Sequence, residues 1–250
     1  MGLFGMTDPA VDPNEVRRFS AMAARWWDPG GPLKPLHRLN PLRLAWIKEQ
    51  VAGHFHKERN DPLALEGLSI LDVGCGGGIL TEPLARMGAA VVGIDPSSEN
   101  ISIARLHAAE AKLGIDYRAT TAEALADEGA RFDVVTILEV VEHVPSVPSF
   151  VAACASLLKP GGLIVAATIN RTTKSWLLAI VGAEYILRWL PRGTHSWDKL
   201  VTPEELSASF RAAGLARGAE TGVMYVPVAD YFRLTGDMDV NYMMAATRPA

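Results

Sequence analysis

The sequence is poor in several things, and each shortage excludes a class. Its 250 residues hold only two cysteines, Cys75 and Cys154, too few for a disulfide framework. The opening MGLFGMTDPAVDPNE has no basic stretch followed by a long apolar one, so it does not read as a secretory leader. Position 6 is Met6 where a myristoylation pattern wants Ser or Thr, so Gly2 is not read as a lipidation site. A positive excess is missing too: the net charge of -4 argues against a surface adapted to nucleic acid. There is no internal repeat or low-complexity tract. The longest apolar stretch, SWLLAIVGAEYILRWL, is interrupted by Gly182, Glu184 and Arg188 and is too short to cross a bilayer. The chain therefore reads as cytoplasmic.

What is present is a core-forming composition, 49% hydrophobic and 21% charged, suited to a single α/β domain carrying an insertion. Asp12, Pro13 and Glu15 form an N-cap signature, predicting a helix from about Pro13 to Trp26 that stops at Asp28-Pro29-Gly30-Gly31. A proline-rich stretch leads to a second helix near Leu42 to His54, its start marked by Asn40-Pro41. After Gly67, short apolar runs alternate with helical periods. Ser69–Val73, Ala90–Ile94, Ile115–Ala119, Phe132–Leu138 and Leu163–Ile169 read as buried strands of a parallel sheet with helices on both faces. A helix from about Pro203 to Ala213 with Thr202 as N-cap follows, then closing strands near Gly222 to Pro227 and Val240 to Thr247.

The sharpest motif is ILDVGCGGGIL. Gly74, Gly76 and Gly78 let the backbone turn tightly and approach a ligand. Ile79 stands where a dinucleotide fingerprint has its third glycine, which disfavours a nicotinamide-dependent dehydrogenase. Asp72 precedes the loop. Asp95, 21 residues beyond Gly74 at the end of VVGID, can accept hydrogen bonds from ribose hydroxyls.

The series LDVGCGGG, VVGID, FDVVTILEVVEHV and LLKPGGLIVAAT resembles the motifs of class I S-adenosylmethionine-dependent methyltransferases. RWWD, KPLHRLNPLR, EVVEHV, KSWLLAIVGAEYILRWLP, GTHSWDK and DVNYM further resemble the ubiquinone-biosynthesis O-methyltransferase family, from about Val11 onward. The resemblance implies a Rossmann-like seven-stranded sheet whose last strand is antiparallel, in one methyltransferase domain over 1-250. It implies a helical cap over 11-60 and a helical insertion near 172-200. The implied cofactor is S-adenosylmethionine, and the implied reaction is O-methylation of polyprenylated catechol or hydroquinone intermediates, in both such steps of the pathway.

Residue by residue, Arg43 matches the arginine used on the cofactor, where its fork suits a methionyl carboxylate. Gly74 and Asp95 match cofactor positions, with Gly76 in the same loop. Leu138 matches the position before the motif glutamate, offering backbone or apolar contact. By superfamily analogy Ala122 and Glu123 lie against the adenine, although a helix start explains them equally well.

ILEVVEHV leaves its chemistry open. His143 can act as the base that deprotonates a phenol, with Glu142 as a catalytic partner. Alternatively Glu139, Glu142 and His143 can hold a divalent metal (Mg, Mn or Zn) that lowers the hydroxyl pKa, the arrangement the family resemblance implies. In the wider superfamily an acid here caps a helix and a histidine packs near the cofactor without metal. His37 is a second base candidate, or a packing residue.

The insertion from Arg171 to Lys199 carries a local charge of +3 and a Glu184/Arg188 pair at i, i+4. It reads as a lid over the site or as a dock on an anionic membrane surface, making the protein peripherally membrane-associated. The expected partners are thus the prenylated phenol, the membrane and a quinone-biosynthesis assembly. A non-catalytic cofactor-binding scaffold of that assembly is the alternative reading.

Overall fold

A computed structural model describes residues 11–31, 33–177, 197–227 and 229–250. The expected Glu184/Arg188 pair and most of the apolar insertion lie outside the described residues, as do Gly2 and Met6.

The first helix, α1 (Pro13–Ser20), has Asp12 as N-cap, its side chain accepting from the Asn14 N–H. It is shorter than the expected Pro13 to Trp26. From Met22 the backbone bonds run to the third residue back, and a 3-10 turn at Ala23–Arg25 tightens the chain. That turn delivers Trp26 and Trp27 to the glycine loop. The second helix, α2 (Lys34–His54), begins well before Asn40-Pro41, with Pro41 in its interior. Pro41 costs one backbone bond, but Asn40 spends its side chain elsewhere than on a cap: its Nδ2 donates to the Ile79 carbonyl at 2.8 Å. Buried Leu39, Arg43, Trp46, Ile47 and Val51 hold the helix against the sheet.

The sheet comprises β1 (Ser69–Val73), β2 (Ala90–Asp95), β3 (Asp116–Ala119), β4 (Phe132–Leu138), β5 (Leu158–Ile169), β6 (Ala216–Val226), β7 (Tyr231–Thr235) and β8 (Asn241–Thr247). The order is β3-β2-β1-β4-β5-β8-β6-β7. The first five strands are parallel, and β8 runs antiparallel between β5 and β6. The sheet therefore has eight strands rather than the expected seven. The additional one, β7, forms a hairpin with β6 at the edge.

Intervening helices α3 (Thr81–Arg86), α4 (Ser98–Glu110), α5 (Ala122–Asp127), α6 (Val147–Ser156), α7 (Thr173–Ser175) and α8 (Pro203–Ala212), with 3-10 turns at Val141–His143 and Trp197–Lys199, complete the described elements. The Thr202 cap is present as a full capping box with Glu205. Two apolar clusters line the two faces: one joins α5, α6 and α8 to the sheet, the other joins α2 and α3 to it. Strand order reverses between β1 and β4, opening a crevice at their carboxyl ends.

The Asn40 bond fixes α2 to the glycine loop one turn before Arg43. Asn40→Ala strands the buried Ile79 carbonyl and is expected to cost about 1–3 kcal/mol of stability, measured by urea unfolding; an unchanged midpoint would remove this bond from the fold's essential contacts.

Candidate functional site

One cavity of about 650 Å³ runs along the carboxyl edge of the sheet. Arg43, Gly74, Asp95, Ala122, Glu123, Leu138, Glu139 and His143 all line it, so most of the sequence-predicted residues meet in one place. Gly74 sits at φ +71°, and a Cβ there would come within 2.5 Å of Val140, so only glycine fits this turn.

Asp95 is buried and held by three donors: the Gly76 N–H at 3.0 Å, the Ser97 N–H at 2.8 Å and Asn100 Nδ2 at 3.2 Å. Each carboxylate oxygen retains acceptor capacity for a ribose hydroxyl. Burial pushes its pKa up, against these hydrogen bonds. Gly76 itself does not line the cavity. Its N–H is spent on Asp95, and the Trp26 ring lies where a Cβ would project, at 2.3 Å. Its part is to fix Asp95. Asn100 accepts in turn from the Trp26 indole at 2.9 Å, and the Trp27 indole donates to the Gly77 carbonyl at 2.9 Å.

Ala122 and Glu123 open α5, where Thr121 caps the helix by accepting from the Ala124 N–H at 3.3 Å. Helix start and cavity wall thus coincide at these residues.

Asp72, on β1, accepts from Thr81 Oγ1 at 2.6 Å and Thr136 Oγ1 at 2.8 Å. Burial outweighs both bonds and raises its pKa to about 6.

Arg43 is buried, and its guanidinium donates to Glu139, forming an ion pair. Its Nε is a buried donor with no hydrogen-bond partner among the described residues, which fits a cation waiting on an anionic ligand group. Glu139 sits at φ +55°, an uncommon backbone conformation for a side chain with a Cβ, and its N–H donates to the Ala167 carbonyl at 2.8 Å.

Glu142 does not line the cavity. It is buried behind Glu139, with Oε2 accepting from Thr168 at 2.7 Å and Oε1 without a hydrogen-bond partner among the described residues. Burial first, and the neighbouring Glu139 charge second, push its carboxyl well above the usual range, favouring the protonated form. Glu142 does not present its carboxyl to a ligand in this arrangement, because the group is buried against Thr168 and Glu139 rather than lining the cavity.

His143 does line the cavity. Its Nδ1 is 3.2 Å from Glu15 Oε2 of α1, and its ring stands edge-on to Phe19 at 5.2 Å. His143 is the first cause holding the Glu15 carboxyl down to about 2. Lys199, the last residue of the insertion, is 3.2 Å from Glu15 Oε1.

The donor types of Glu139, Glu142 and His143 suit a divalent ion, and the orphaned Glu142 oxygen beside Glu139 fits one. Glu139 and Glu142 are neighbours, each also engaged by a second partner, Arg43 and Thr168, while His143 is turned to Glu15. Among the described residues no group of three His, Cys, Asp or Glu side chains is arranged to hold a metal.

His37 turns out to be a packing residue, with Nε2 2.8 Å from the Trp26 carbonyl. Sequence reasoning missed Glu15, Asn40, Asn100 and Trp26 as site-builders. The RWWD run was visible, but its hydrogen bonds to residues 50 and 74 positions away were not.

A methyltransferase-domain family model matches residues 43–217. The ubiquinone biosynthesis O-methyltransferase of Brucella ovis is 57% identical over 248 residues, covering 98% of this chain and 100% of that protein. The chain belongs to the ubiquinone-biosynthesis O-methyltransferase family. The protein of the same name from a Chelativorans species is 56% identical over 96% of this chain and 94% of its own length. Among solved structures, the S-adenosylmethionine-bound magnesium protoporphyrin IX methyltransferase of Synechocystis shares the fold, with TM-score 0.63 at 17% identity over 97% of this chain and 100% of that one.

The raised pKa of Asp72 gives a stability prediction. Its folded pKa exceeds the unfolded value of 3.8, so folding binds a proton between about pH 4 and 6 and this group's penalty grows as pH rises through that window. Asp72→Asn is therefore expected to raise the melting temperature relative to wild type at pH 7 and to lose that advantage near pH 4. A difference independent of pH would contradict it.

Proposed function

We propose that this member of the family binds S-adenosylmethionine and O-methylates polyprenylated catechol or hydroquinone intermediates of ubiquinone biosynthesis, in both O-methylation steps. The observation that carries the reading is the single cavity in which the glycine loop, Asp95, Arg43 and His143 meet. The name carried by relatives at 57% identity supports the pathway and the reaction class.

Asp95 accepts from the ribose, and Arg43 attracts the methionyl carboxylate through its unpaired Nε. The ring hydroxyl gives its proton to His143. The resulting oxyanion then attacks the sulfonium methyl in line, the O–C bond forming as the C–S bond breaks, and neutral S-adenosylhomocysteine leaves. Leu138 and Val140 present apolar surface beside the reacting methyl, which keeps water from competing.

The unpartnered Oε1 of Glu142 favours a second reading for the same residues, in which Glu139, Glu142 and His143 hold a divalent cation. Such an ion would lower the hydroxyl pKa.

Release of S-adenosylhomocysteine with a short-chain catechol analogue tests the activity. Wild type should turn over, and His143→Ala should lose about 10²- to 10⁴-fold in kcat while keeping its S-adenosylhomocysteine affinity. Tight cofactor binding without turnover in wild type would instead favour the scaffold role. Chelation and add-back of Mg, Mn or Zn, run on wild type and Glu142→Ala, separates the two readings: turnover untouched by chelation assigns the proton to His143 alone.

The protein is proposed to act in the cytoplasm at the surface of an anionic membrane, alongside other enzymes of the pathway. Trp176 and Leu177, at the start of the basic 171–199 segment, are 47% and 55% exposed, and no described helix is long and apolar enough to span a bilayer. Trp176→Glu combined with Leu177→Glu should weaken flotation with anionic vesicles; equal flotation of the folded double variant would reject the membrane role.

A further inference from the structure

The cavity continues past the site of methyl transfer. Beyond Ile169 and Asn241 it reaches the β6–β7 hairpin, whose second strand, β7, is the one additional to the seven-stranded expectation. There the wall is made by Leu39 of α2, Val223 and Tyr225 of β6 and Phe232 of β7. Val223 and Tyr225 are two apart on the strand and so share one face. Tyr225 pairs with Phe232 in register, their rings 5.0 Å apart. Leu39 and Val223 belong to one buried cluster, with Phe232 packed against it.

The two walls are fastened to each other. Arg38 of α2 forms an ion pair with Asp230 at the hairpin turn, and the Tyr225 hydroxyl donates to Asp230 Oδ1 at 2.6 Å. The charged side chains near this end, Lys174 and Asp237, neutralise one another. The cofactor end is built differently, from the carboxylates of Asp72 and Asp95 and the guanidinium of Arg43. Four strand intervals separate β1 from β6, about 19 Å at the usual strand spacing. A cofactor seated on the glycine loop and Asp95 therefore leaves the hairpin end to another ligand, with Glu139 and His143 between them.

We propose that the apolar end, between α2 and the β6–β7 hairpin, is the subsite for the isoprenoid tail of the substrate. The inference rests on the substrate class proposed above. It makes Leu39, Val223, Tyr225 and Phe232 determinants of tail recognition, acting by apolar burial, while Glu139 and His143 face the ring.

The test compares a catechol bearing a farnesyl chain with the same catechol lacking a prenyl group. Phe232→Asp should lower kcat/KM for the farnesyl substrate by about tenfold or more, since a carboxylate replaces apolar surface that the tail would cover, and leave the prenyl-free substrate unchanged. Phe232→Leu should keep most of the farnesyl preference. Equal loss on both substrates, or none on either, would overturn the proposal. A farnesyl chain carrying a diazirine supplies a readout independent of turnover: labelling of Leu39 and of residues 223–232 is expected, and labelling confined to other segments would overturn it. If wild type transfers no methyl group, the substrate reading falls, while the photolabel still decides where an isoprenoid binds.

Discussion

Asp72, Asp95 and Glu139 line the crevice at the ends of β1, β2 and β4, Glu142 is buried behind Glu139, and the structure is arranged around the need to neutralise these four carboxyl groups. An unpaired carboxylate out of water is costly enough that it finds donors, finds a cation or keeps its proton. Each of the four takes a different route. Asp95 is tied by three donors from its own end of the sheet. Asp72 has two threonine hydroxyls and a pKa near 6. Glu139 has Arg43, and Glu142 has Thr168 and a strong bias toward its proton. The route taken by α2 follows from this. Arg43 has to be brought across the crevice to Glu139, so the helix runs on through Pro41, with Asn40 tying it to the glycine loop.

The N-terminal segment completes what the sheet leaves open. Trp26 and Trp27 spend their indole N–H groups on Asn100 and the Gly77 carbonyl, so the glycine loop is pinned from outside as well as by its own turn. Trp26 thereby reaches Asp95 through one side chain, Asn100. Glu15, on the preceding helix, stands against His143, and Lys199 stands against Glu15. The environment of His143 thus draws on α1 and on the end of the insertion, positions far apart in sequence.

Periodicity and turn chemistry made the parallel strands legible: β1 and β4 have the bounds expected from their apolar runs, because both are buried on two faces. The capping residues Asp12 and Thr202 were legible for the same local reason. The start of α2 was not, since Asn40-Pro41 has the form of a helix start and only the bond to the Ile79 carbonyl reveals otherwise. Strand β7 was missed although YFRLT, bounded by Asp230 and Gly236, has the composition of a strand; its half-exposed edge position dilutes the apolar signal. At the site, glycines and Asp95 could be read because their spacing is local. The assignments of Glu139 to Arg43, Glu142 to Thr168 and His143 to Glu15 could not, because each is a tertiary pairing that competes with the convergence suggested by three acidic and basic residues in one short run.

The two halves of the cavity differ in the kind of physics that recognises a ligand. Directed hydrogen bonds and charge fix orientation at the glycine-loop end, where a methyl group has to be aimed along the axis of displacement. Apolar burial dominates at the hairpin end, where it scales with area and tolerates variation in length. The portion matching methyltransferases at large, residues 43–217, contains the first end together with Glu139, Glu142 and His143. Val223, Tyr225 and Phe232 lie beyond it, and Leu39 lies before it. A shared fold does not dictate a shared substrate. In this chain the flanking segments supply the apolar wall, so, with the tail seated as proposed, substrate choice can change there without disturbing the carboxylates at the glycine-loop end.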